Sequence, residues 1–388
     1  MTTNKNHNSP NVPNSTDYGN AFRNVPALRF PEFSGEWKKC MIKDYGEVVT
    51  GNTPPTSNAE YYDNGSYLWA SPADLGVHKK ITDTRTKLTL SGFNKTRNVP
   101  IGSVLVTCIG STIGKMGMAT ETMSSNQQIN SIVVNDKSNS DFVYYAVSRA
   151  FPHYLSEVGV QAVPILSKSN FEKLPNFTTS RDEQDKLGYF LNLLDERIAT
   201  QNKIIERYES LIRGIAQKIA RNNKPNVLLA ECLKCSSSTL QESDVCENGT
   251  YPVYGANGII GYLDGYSTED EAVHFIKDGS GVGTVYYVTG KCSATGTLNT
   301  LQAKDGYLLQ YLYYMLKVFN FEPYKTGMAI PHIYFKDYGK AKIYCPTYEL
   351  QNKYADLLSK IEQKAIAEQK ILDNLYSQKQ YLLHQMFI

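Results

Sequence analysis

Residues 187–219 read LGYFLNLLDERIATQNKIIERYESLIRGIAQKI, a stretch in which apolar residues recur at alternating spacings of four and three. Nine of the ten positions in this series are apolar, and the exception is Gln201. Such a series is typical of a long helix that packs lengthwise against a second helix, and it spans about 50 Å. Acids at 182–183 suit a helix N-terminus and Pro225 ends a helix, so we expect one over residues 181–224.

A second series of the same kind lies in residues 349–386, where eight of ten positions are apolar. The residues expected at the seam between the two helices are Leu191, Leu194, Ile198, Gln201 and Ile205 in the first, with Leu358, Ile361, Glu368, Leu372 and Leu375 in the second. Gln201 and Glu368 hold the same position in the two series, so an antiparallel pairing would bring them together and fix the register. The alternative is that this position is simply solvated.

The chain also carries an internal duplication. Pairs that lie 167 positions apart are Pro164/Pro331, Phe171/Tyr338, Lys173/Lys340, Gln184/Gln351, Lys186/Lys353, Lys203/Lys370 and Ile204/Ile371. Upstream the offset is 169, as in Val104/Val273, Gly110/Gly279, Gly114/Gly283, Tyr144/Tyr313 and Tyr145/Tyr314. A duplication of this size predicts two similar domains, each followed by a similar helix.

The regions before the two helices read as short strands separated by turn signals such as Asn64-Gly65 and Asp264-Gly265. The expected fold is therefore α+β, with two β-rich domains separated by two long antiparallel coiled-coil helices and pseudo-two-fold symmetry. The expected boundaries are a disordered polar tail over 1–24, a first β-rich domain over 25–180, a central helix over 181–224, a second β-rich domain over 225–347 and a C-terminal helix over 348–388. Such an object suits a two-fold partner, for which duplex DNA is the leading candidate.

Composition excludes several classes of protein. No apolar run approaches 18 residues and no signal peptide is visible, so we expect no membrane span. Seven scattered cysteines indicate free thiols in a reducing cytoplasm, and Cys232, Cys235 and Cys246 lack a fourth ligand for zinc. The net charge is +2, but residues 225–346 hold 9 Lys against 12 acids and no arginine follows Arg221. DNA binding would therefore need local basic patches or charge from a larger assembly.

The motifs that could carry catalysis are incomplete. Residues 110–115, GSTIGK, are one residue short of a Walker loop, and residues 279–283, GSGVG, lack the third glycine of a dinucleotide fingerprint. Both are interpreted as tight turns that need positive φ or close backbone approach. The alternative is that each turn holds a phosphate against its backbone and its serine, Ser111 or Ser280. We find no metal or cofactor site, and the chain is expected not to be an enzyme.

Polar side chains able to contact DNA occur in both copies. The candidates are Lys79, Lys80, Arg85, Lys87, Lys95, Arg97, Ser111, Lys115, Asn126 and Gln127 in the first copy, and Tyr254, Asn257, Lys277, Ser280 and Lys291 in the second. Basic side chains contact phosphates and guanine, whereas amides can bond adenine edges. The alternative for the basic window over 79–97 is a solvated surface loop.

This layout resembles the specificity subunit of type I restriction–modification enzymes. The resemblance covers about residues 25–388, and its most specific parts are the repeat, the segment LRFPEFSGEW over 28–37, the segment from Tyr251 to Gly261, and the helices that begin at Arg181 and Tyr348. It implies that each β-rich domain is a target recognition domain that reads one half of a split DNA sequence.

The resemblance further implies that the helices act as a spacing ruler and dock two modification subunits, which hold S-adenosylmethionine and the catalytic residues. Restriction subunits that translocate DNA would join that core. This chain would then be a non-catalytic subunit that binds no cofactor, in the bacterial cytoplasm and associated with the nucleoid. The alternative is a coiled-coil adaptor or inhibitor that presents two β-rich binding domains.

Overall fold

The computed structural model describes residues 24–158, 165–279, 281–327 and 330–388. Residues 1–23 of the expected polar tail, Pro164 of the internal repeat and the candidate contact Ser280 lie outside the described residues. The described chain forms two compact units. The first unit holds the residues up to Ile198 together with Asn374–Ile388, and the second unit holds Ala199–Asp373.

In the described residues, the first unit combines eleven short strands with helix α3 and with parts of the two longest helices. Its elements in chain order are β1 (Lys38–Met41), α1 (Ile42–Tyr45), β2 (Gly46–Thr50), β3 (Tyr67–Ala70), β4 (Lys80–Ile81), β5 (Thr86–Leu88), α2 (Leu90–Phe93), β6 (Asn98–Val99), β7 (Val104–Thr107), β8 (Met116–Ala119), β9 (Met123–Ser125), β10 (Ile129–Val134), α3 (Ser140–Val158), α4 (Lys168–Glu172), β11 (Pro175–Thr178) and the start of α5 (Arg181–Arg221). All four residues of β7 are buried.

Two sheets organise this unit. One has the strand order β2-β10-β7-β8-β4, and the other has the order β5-β3-β9-β6, while β1 pairs with β11. β10 is antiparallel to both β2 and β7, and β4 adds to β8 in parallel. The turn over residues 126–128 connects β9 of the second sheet to β10 in the first sheet.

The core of the first unit contains the end of the chain. Trp37, Phe142, Leu187 and Leu191 share one buried cluster with Phe387. The Phe387 ring stacks on Phe142 with 5.4 Å between centroids and meets Trp37 edge-on at 5.8 Å. Aromatic contacts at these separations are favourable, so the C-terminal residues help to hold the first domain together.

The second unit repeats this plan. It holds the rest of α5, then β12 (Val227–Leu228), α6 (Leu229–Cys232), β13 (Leu233–Ser237), β14 (Tyr251–Gly255), β15 (Gly258–Leu263), β16 (Ala272–Ile276), β17 (Val285–Val288), β18 (Ser293–Ala294), β19 (Leu298–Ala303), α7 (Leu309–Val318), α8 (Phe335–Tyr338), β20 (Lys342–Ile343) and α9 (Tyr348–Met386), whose last residues belong to the first unit. The order β13-β19-β16-β17 matches β2-β10-β7-β8 strand for strand. In the described residues β17 has no counterpart of β4 on its outer edge.

The periodicity predicted two long helices, and the structure contains them as α5 and α9. In the second unit Gln201 of α5 bonds Glu368 of α9, whereas Ile212 of α5 shares a buried cluster with Leu358 of α9. In the first unit Asp195 of α5 pairs with Lys379 of α9 at 2.6 Å. Within each unit, later residues of α5 meet earlier residues of α9. No helix in the described residues is long and apolar enough to cross a bilayer.

The expected seam residues are mostly buried. Those with exposures below a tenth are Leu191, Ile198, Gln201, Ile205, Leu358, Leu372 and Leu375, while Leu194, Ile361 and Glu368 are half-buried. The Gln201 amide donates both to the carboxylate of Glu368 and to its backbone oxygen, at 2.5 and 3.0 Å. This polar position is therefore hydrogen-bonded within the second unit rather than open to solvent.

Candidate nucleic-acid interface

The turn over residues 126–128 leads into the central strand β10 and is built around Asn126. The Asn126 side chain accepts from the Gln128 backbone N–H at 3.0 Å and donates to the Gln128 side chain at 3.1 Å. Only 8% of Asn126 is exposed, so this predicted contact residue shapes the turn. Its neighbour Gln127 is exposed, and the Thr53 hydroxyl donates to the Gln127 side-chain oxygen at 2.6 Å. The Gln127 NH₂ group then remains as a donor on the surface.

Two predicted basic residues are held beside this turn by Asn52. The Asn52 side chain donates to the backbone oxygen of Lys95 at 2.9 Å and accepts from the backbone N–H of Arg97 at 2.8 Å. The Arg97 guanidinium also donates to the Thr50 backbone oxygen at 2.9 Å. Lys95 and Arg97 are both exposed.

We call exposed Lys95, Arg97 and Gln127, together with half-buried Thr53, the Asn52 surface. It requires the chain after β2 to cross very close to the turn, and Gly51 permits this because a Cβ there would lie 2.2 Å from the Ser125 backbone oxygen. The sequence prediction named Lys95, Arg97 and Gln127 but missed Asn52 and Thr53. In the sequence, the only indication that Asn52 and Thr53 belong to this surface was their place in the polar, proline-containing loop between β2 and β3.

The two glycine-rich turns have the predicted backbone. Gly110 and Gly114 have φ values of 97° and 89°, and Gly279 and Gly283 have 94° and 95°. The N–H of Gly114 bonds Thr107 and that of Gly283 bonds Ile276, so these amides close the turn rather than face a ligand. Ser111 and Lys115 are exposed at the first turn.

The remaining basic candidates of the first copy have different surroundings. Lys79 has a side chain only 7% exposed, and its ammonium pairs with Asp141 at 2.6 Å. Burial lowers the pKa of Lys79, and the bond to Asp141 opposes that change. Lys80 and Arg85 are exposed, whereas the ammonium of Lys87 pairs with Asp83 at 2.9 Å. We therefore leave Lys79 out of the candidate surface and assign it a role inside the unit.

In the second copy the corresponding turn is Thr295–Thr297, and two candidate segments meet at it. The Thr295 N–H bonds the Tyr254 backbone oxygen at 2.9 Å, and the Lys277 N–H bonds that of Thr297 at 3.1 Å. Asn257 is exposed on the β14–β15 turn. Lys291 lies elsewhere, over the ring of Tyr266 at 4.6 Å.

Sequence reasoning also missed His332, which lies beside the second glycine-rich turn. His332 forms isolated β-bridges with Asp278 and Thr326, and Ile165 makes the equivalent bridge with Ile109 in the first copy. The repeat offset pairs His332 with Ile165, so an imidazole replaces an aliphatic side chain at this place. Ile333 just after it bonds the Lys277 backbone oxygen, which brings His332 close to Lys277.

These surfaces carry donors of the kinds that contact phosphates and base edges. Among the described residues no cluster of His, Cys, Asp and Glu could hold a metal ion. The cysteines that the structure describes are all free thiols, and burial raises the pKa of Cys108 to about 12. Within the partial zinc motif, Cys232 is buried and Cys246 is exposed.

Comparison with known proteins adds relatives in bacteria and archaea. The chain is 30% identical over 151 residues to the HindI specificity subunit of Haemophilus influenzae, which covers 38% of this chain and 32% of that protein. It is 29% identical over 181 residues to the MjaIX specificity subunit of Methanocaldococcus jannaschii, covering 44% and 41%. The matched part thus spans about a third and two fifths of these relatives' own lengths.

Solved structures share the fold. A crystal structure of the type I restriction–modification S subunit from M. genitalium superposes with a TM-score of 0.63 at 19% identity, covering 94% of this chain and 99% of that one. A chain from a type I restriction–modification system solved to explain complex assembly gives 0.52 at 15% identity, covering 90% and 97%. The sequence model of the type I restriction modification DNA specificity domain matches residues 34–210 and again 229–376. Because these two matches cover most of the chain and coincide with its two copies, the protein belongs to the type I restriction–modification DNA specificity family.

Proposed function

We propose that this chain is the DNA-specificity subunit of a type I restriction–modification complex and reads a bipartite target. The observation that carries the proposal is the duplication of one scaffold with different polar surfaces at the same place. The turn before β10 presents Gln127 with Lys95 and Arg97, whereas the turn before β19 places half-buried Thr297 beside Lys277. Two such surfaces with different donors suit two half-sites of different sequence.

The long helices are proposed to form an antiparallel coiled coil with pseudo-two-fold symmetry. The reversed order of contacts between α5 and α9 within each unit supports this arrangement. In it, the helices separate the two recognition domains and act as the ruler between half-sites. The bonded pair of Gln201 and Glu368 then fixes the register, as buried polar pairs do in other coiled coils.

The chain is proposed to work without chemistry of its own. Two modification subunits would dock on it and supply S-adenosylmethionine and the catalytic residues, and restriction subunits would join them. Residues 225–346 carry more acids than lysines, so the assembled complex has to supply part of the positive charge that grips the DNA. This division explains how a chain with a net charge of only +2 can serve in DNA recognition.

The modular assignment is tested by exchanging residues 30–180 for the first domain of another family member. We expect single-molecule mapping of methylated DNA in a host with the modification subunits to show one half-site changed and the other retained. Deleting the chain should remove the motif. A change in both half-sites, or a motif that survives deletion, would contradict the proposal.

We also expect the Asn52 surface to contribute to the salt dependence of DNA binding. Lys95→Ala and Arg97→Ala in the assembled complex should each lower the slope of log affinity against log salt by about 1, because each removes roughly one phosphate contact. Lys137→Ala is the matched control, since Lys137 is exposed just beyond the opposite end of β10. Equal slopes for all three variants and the unchanged chain would remove this surface from the DNA interface.

A further inference from the structure

Each unit contains a tyrosine that donates its hydroxyl hydrogen to a carboxylate on the long helix following its domain. In the first unit the Tyr145 hydroxyl of α3 lies 2.6 Å from Asp195 of α5. In the second unit the Tyr314 hydroxyl of α7 lies 2.7 Å from Glu362 of α9. Tyr145 and Tyr314 lie 169 residues apart, and Asp195 and Glu362 lie 167 residues apart, so each pair occupies equivalent positions of the repeat. The duplication has therefore kept one domain-to-helix contact in both copies.

The first of these contacts, which we call the first clamp, is completed by two lysines. Lys79 reaches in from the loop before β4 and donates to the Tyr145 hydroxyl at 3.0 Å, to Asn192 of α5 at 3.1 Å and to Asp141 at 2.6 Å. On the other side of Asp195, Lys379 of α9 pairs with its second oxygen at 2.6 Å. Two cations and two carboxylates thus close a network with no net charge.

The contact in the second unit, which we call the second clamp, also has no net charge, but its lysine comes from a different place in the chain. Glu362 accepts from Tyr314 and, at 3.1 Å, from Tyr313, while Lys317 of α7 donates to both Glu362 and Tyr313 at 3.1 Å. Its lysine comes from the next turn of α7 rather than from a distant loop. Lys79 and Lys379 of the first clamp are 7% and 22% exposed and Lys317 is 36% exposed, so the first clamp is less accessible to water.

The physical difference between these clamps and the surrounding apolar contacts is directional. An aliphatic seam tolerates small sliding or rotation, because its attraction depends on area and not on direction. The hydrogen bonds among a tyrosine, a carboxylate and a lysine form only when the domain has one position along the helix axis, its height, and one rotation about that axis. Moving by one residue along the helix would leave the buried hydroxyls of Tyr145 and Tyr314 without their partners, which costs more than the bond itself contributes.

We propose that the two clamps set the permitted gap between the half-sites, because each fixes the height and rotation of one recognition domain on its helix. This inference rests on the proposed function. Tyr145, Asp195, Tyr314 and Glu362 are then positioning residues, which touch no DNA themselves. Their loss should relax the spacing requirement while the bases that are read stay the same.

The test uses the chain assembled with its modification subunits and duplexes that carry the mapped half-sites at the mapped gap, or one base pair shorter or longer. Tyr145→Phe and Tyr314→Phe each remove one hydroxyl. We expect the preference for the mapped gap to fall about tenfold in each, through weaker binding at that gap and retained binding at the others. Discrimination against a mutated half-site should not change.

Two matched controls lose a buried tyrosine hydroxyl from the same helices without touching a clamp. Tyr154 of α3 bonds the Pro175 backbone oxygen at 2.6 Å, and Tyr311 of α7 bonds that of Tyr344 at 2.6 Å. Tyr154→Phe and Tyr311→Phe should keep the gap preference of the unchanged protein. If a clamp variant does not fold, Glu362→Gln and Lys317→Met serve in its place, because both keep the size of the side chain.

The outcomes separate the two proposals. An unchanged chain that binds all gaps equally refutes bipartite reading itself, and with it the proposed function. A clear gap preference in the unchanged chain that persists in both clamp variants overturns the clamp proposal alone. So does a uniform loss of affinity at every gap, because that result would mean the clamps only stabilise the domains.

Discussion

Replacing Arg29 with methionine is expected to lower the free energy of unfolding of the first unit by about 3–5 kcal/mol, since it leaves a buried carboxylate without its cation. The Arg29 guanidinium bonds both oxygens of Glu183 at 2.7 Å, and the Glu183 side chain is 1% exposed. Urea unfolding followed by tryptophan fluorescence measures this effect specifically. Both tryptophans of the chain, Trp37 and Trp69, lie in the first unit.

The control is the neighbouring exposed pair of Lys186 and Glu32, whose side chains are 44% and 46% exposed. Lys186→Met should cost less than about 1 kcal/mol, because solvent already screens that pair. Equal effects for the two substitutions would contradict the assigned importance of Glu183.

Lowering the pH should reduce the difference in the free energy of unfolding between the Arg29 variant and the unchanged chain. Burial by itself raises the pKa of Glu183, but the bonds from Arg29 and Thr179 outweigh burial and hold it below its ordinary value of 4.5. Its contribution is therefore present above that value and is lost as the pH falls through the lower folded-state pKa. Without Arg29, burial dominates and the carboxyl can bind a proton, so the variant loses its unpaired charge in acid. Unfolding followed by fluorescence between pH 4 and 7 should show that the difference in the free energy of unfolding between the two proteins increases with pH.

Replacing His274 with leucine is expected to stabilise the second unit by about 1–3 kcal/mol at pH 7, because it removes buried polar atoms that lack partners. His274 is fully buried in β16, and in the described structure neither ring nitrogen has a hydrogen-bond partner. Its equivalent in the first copy is Leu105, which is also fully buried and belongs to an apolar cluster. The same backbone position thus accepts leucine in one copy of the scaffold.

The same residue makes the second unit sensitive to acid. Burial lowers the pKa of His274 to about 4, below the ordinary value of 6.5. The unfolded state then binds the proton more readily, so stability is lost as the pH falls from 6.5 towards 4, by up to about 3 kcal/mol. His274→Leu should abolish that part of the pH dependence.

Amide hydrogen exchange in β16 and β19 is the measurement for this prediction, because the second unit contains no tryptophan. Tryptophan fluorescence of the first unit should stay unchanged and acts as an internal control. Slower loss of protection in the unchanged chain than in His274→Leu at pH 5 would refute the interpretation of His274 as an unsatisfied core residue.

Much of the architecture could be predicted because it depends on local periodicity and on repetition. The alternating spacing of apolar residues predicted α5 and α9, and the offsets of 167 and 169 predicted two similar β-rich regions. The positive φ at Gly110 and Gly279 was also predictable, since only glycine adopts it without strain. The boundaries of 25–180 and 225–347 for the two β-rich domains stay predictions.

The candidate surfaces were harder to predict because residue chemistry does not reveal which way a side chain faces. Lys79 and Lys95 read alike in the sequence, yet Lys79 turns inward to Asp141 and Tyr145, while Lys95 stays on the surface. Asn52 had no visible role until its loop was seen against the backbone of Lys95 and Arg97. Both cases depend on contacts between residues far apart in the chain.

The sequence by itself determined that this protein has two β-rich copies and two long apolar-seamed helices, because helix period and internal identity are properties of neighbouring residues and fixed offsets. Only the tertiary structure decided which polar groups are paired inside the protein and which are exposed on its surface. It paired Arg29 with Glu183 and Tyr314 with Glu362, and it left Arg97 and Gln127 on the surface. The physical reason is that a polar group's role follows from the partners that burial forces upon it, and those partners come from distant parts of the chain.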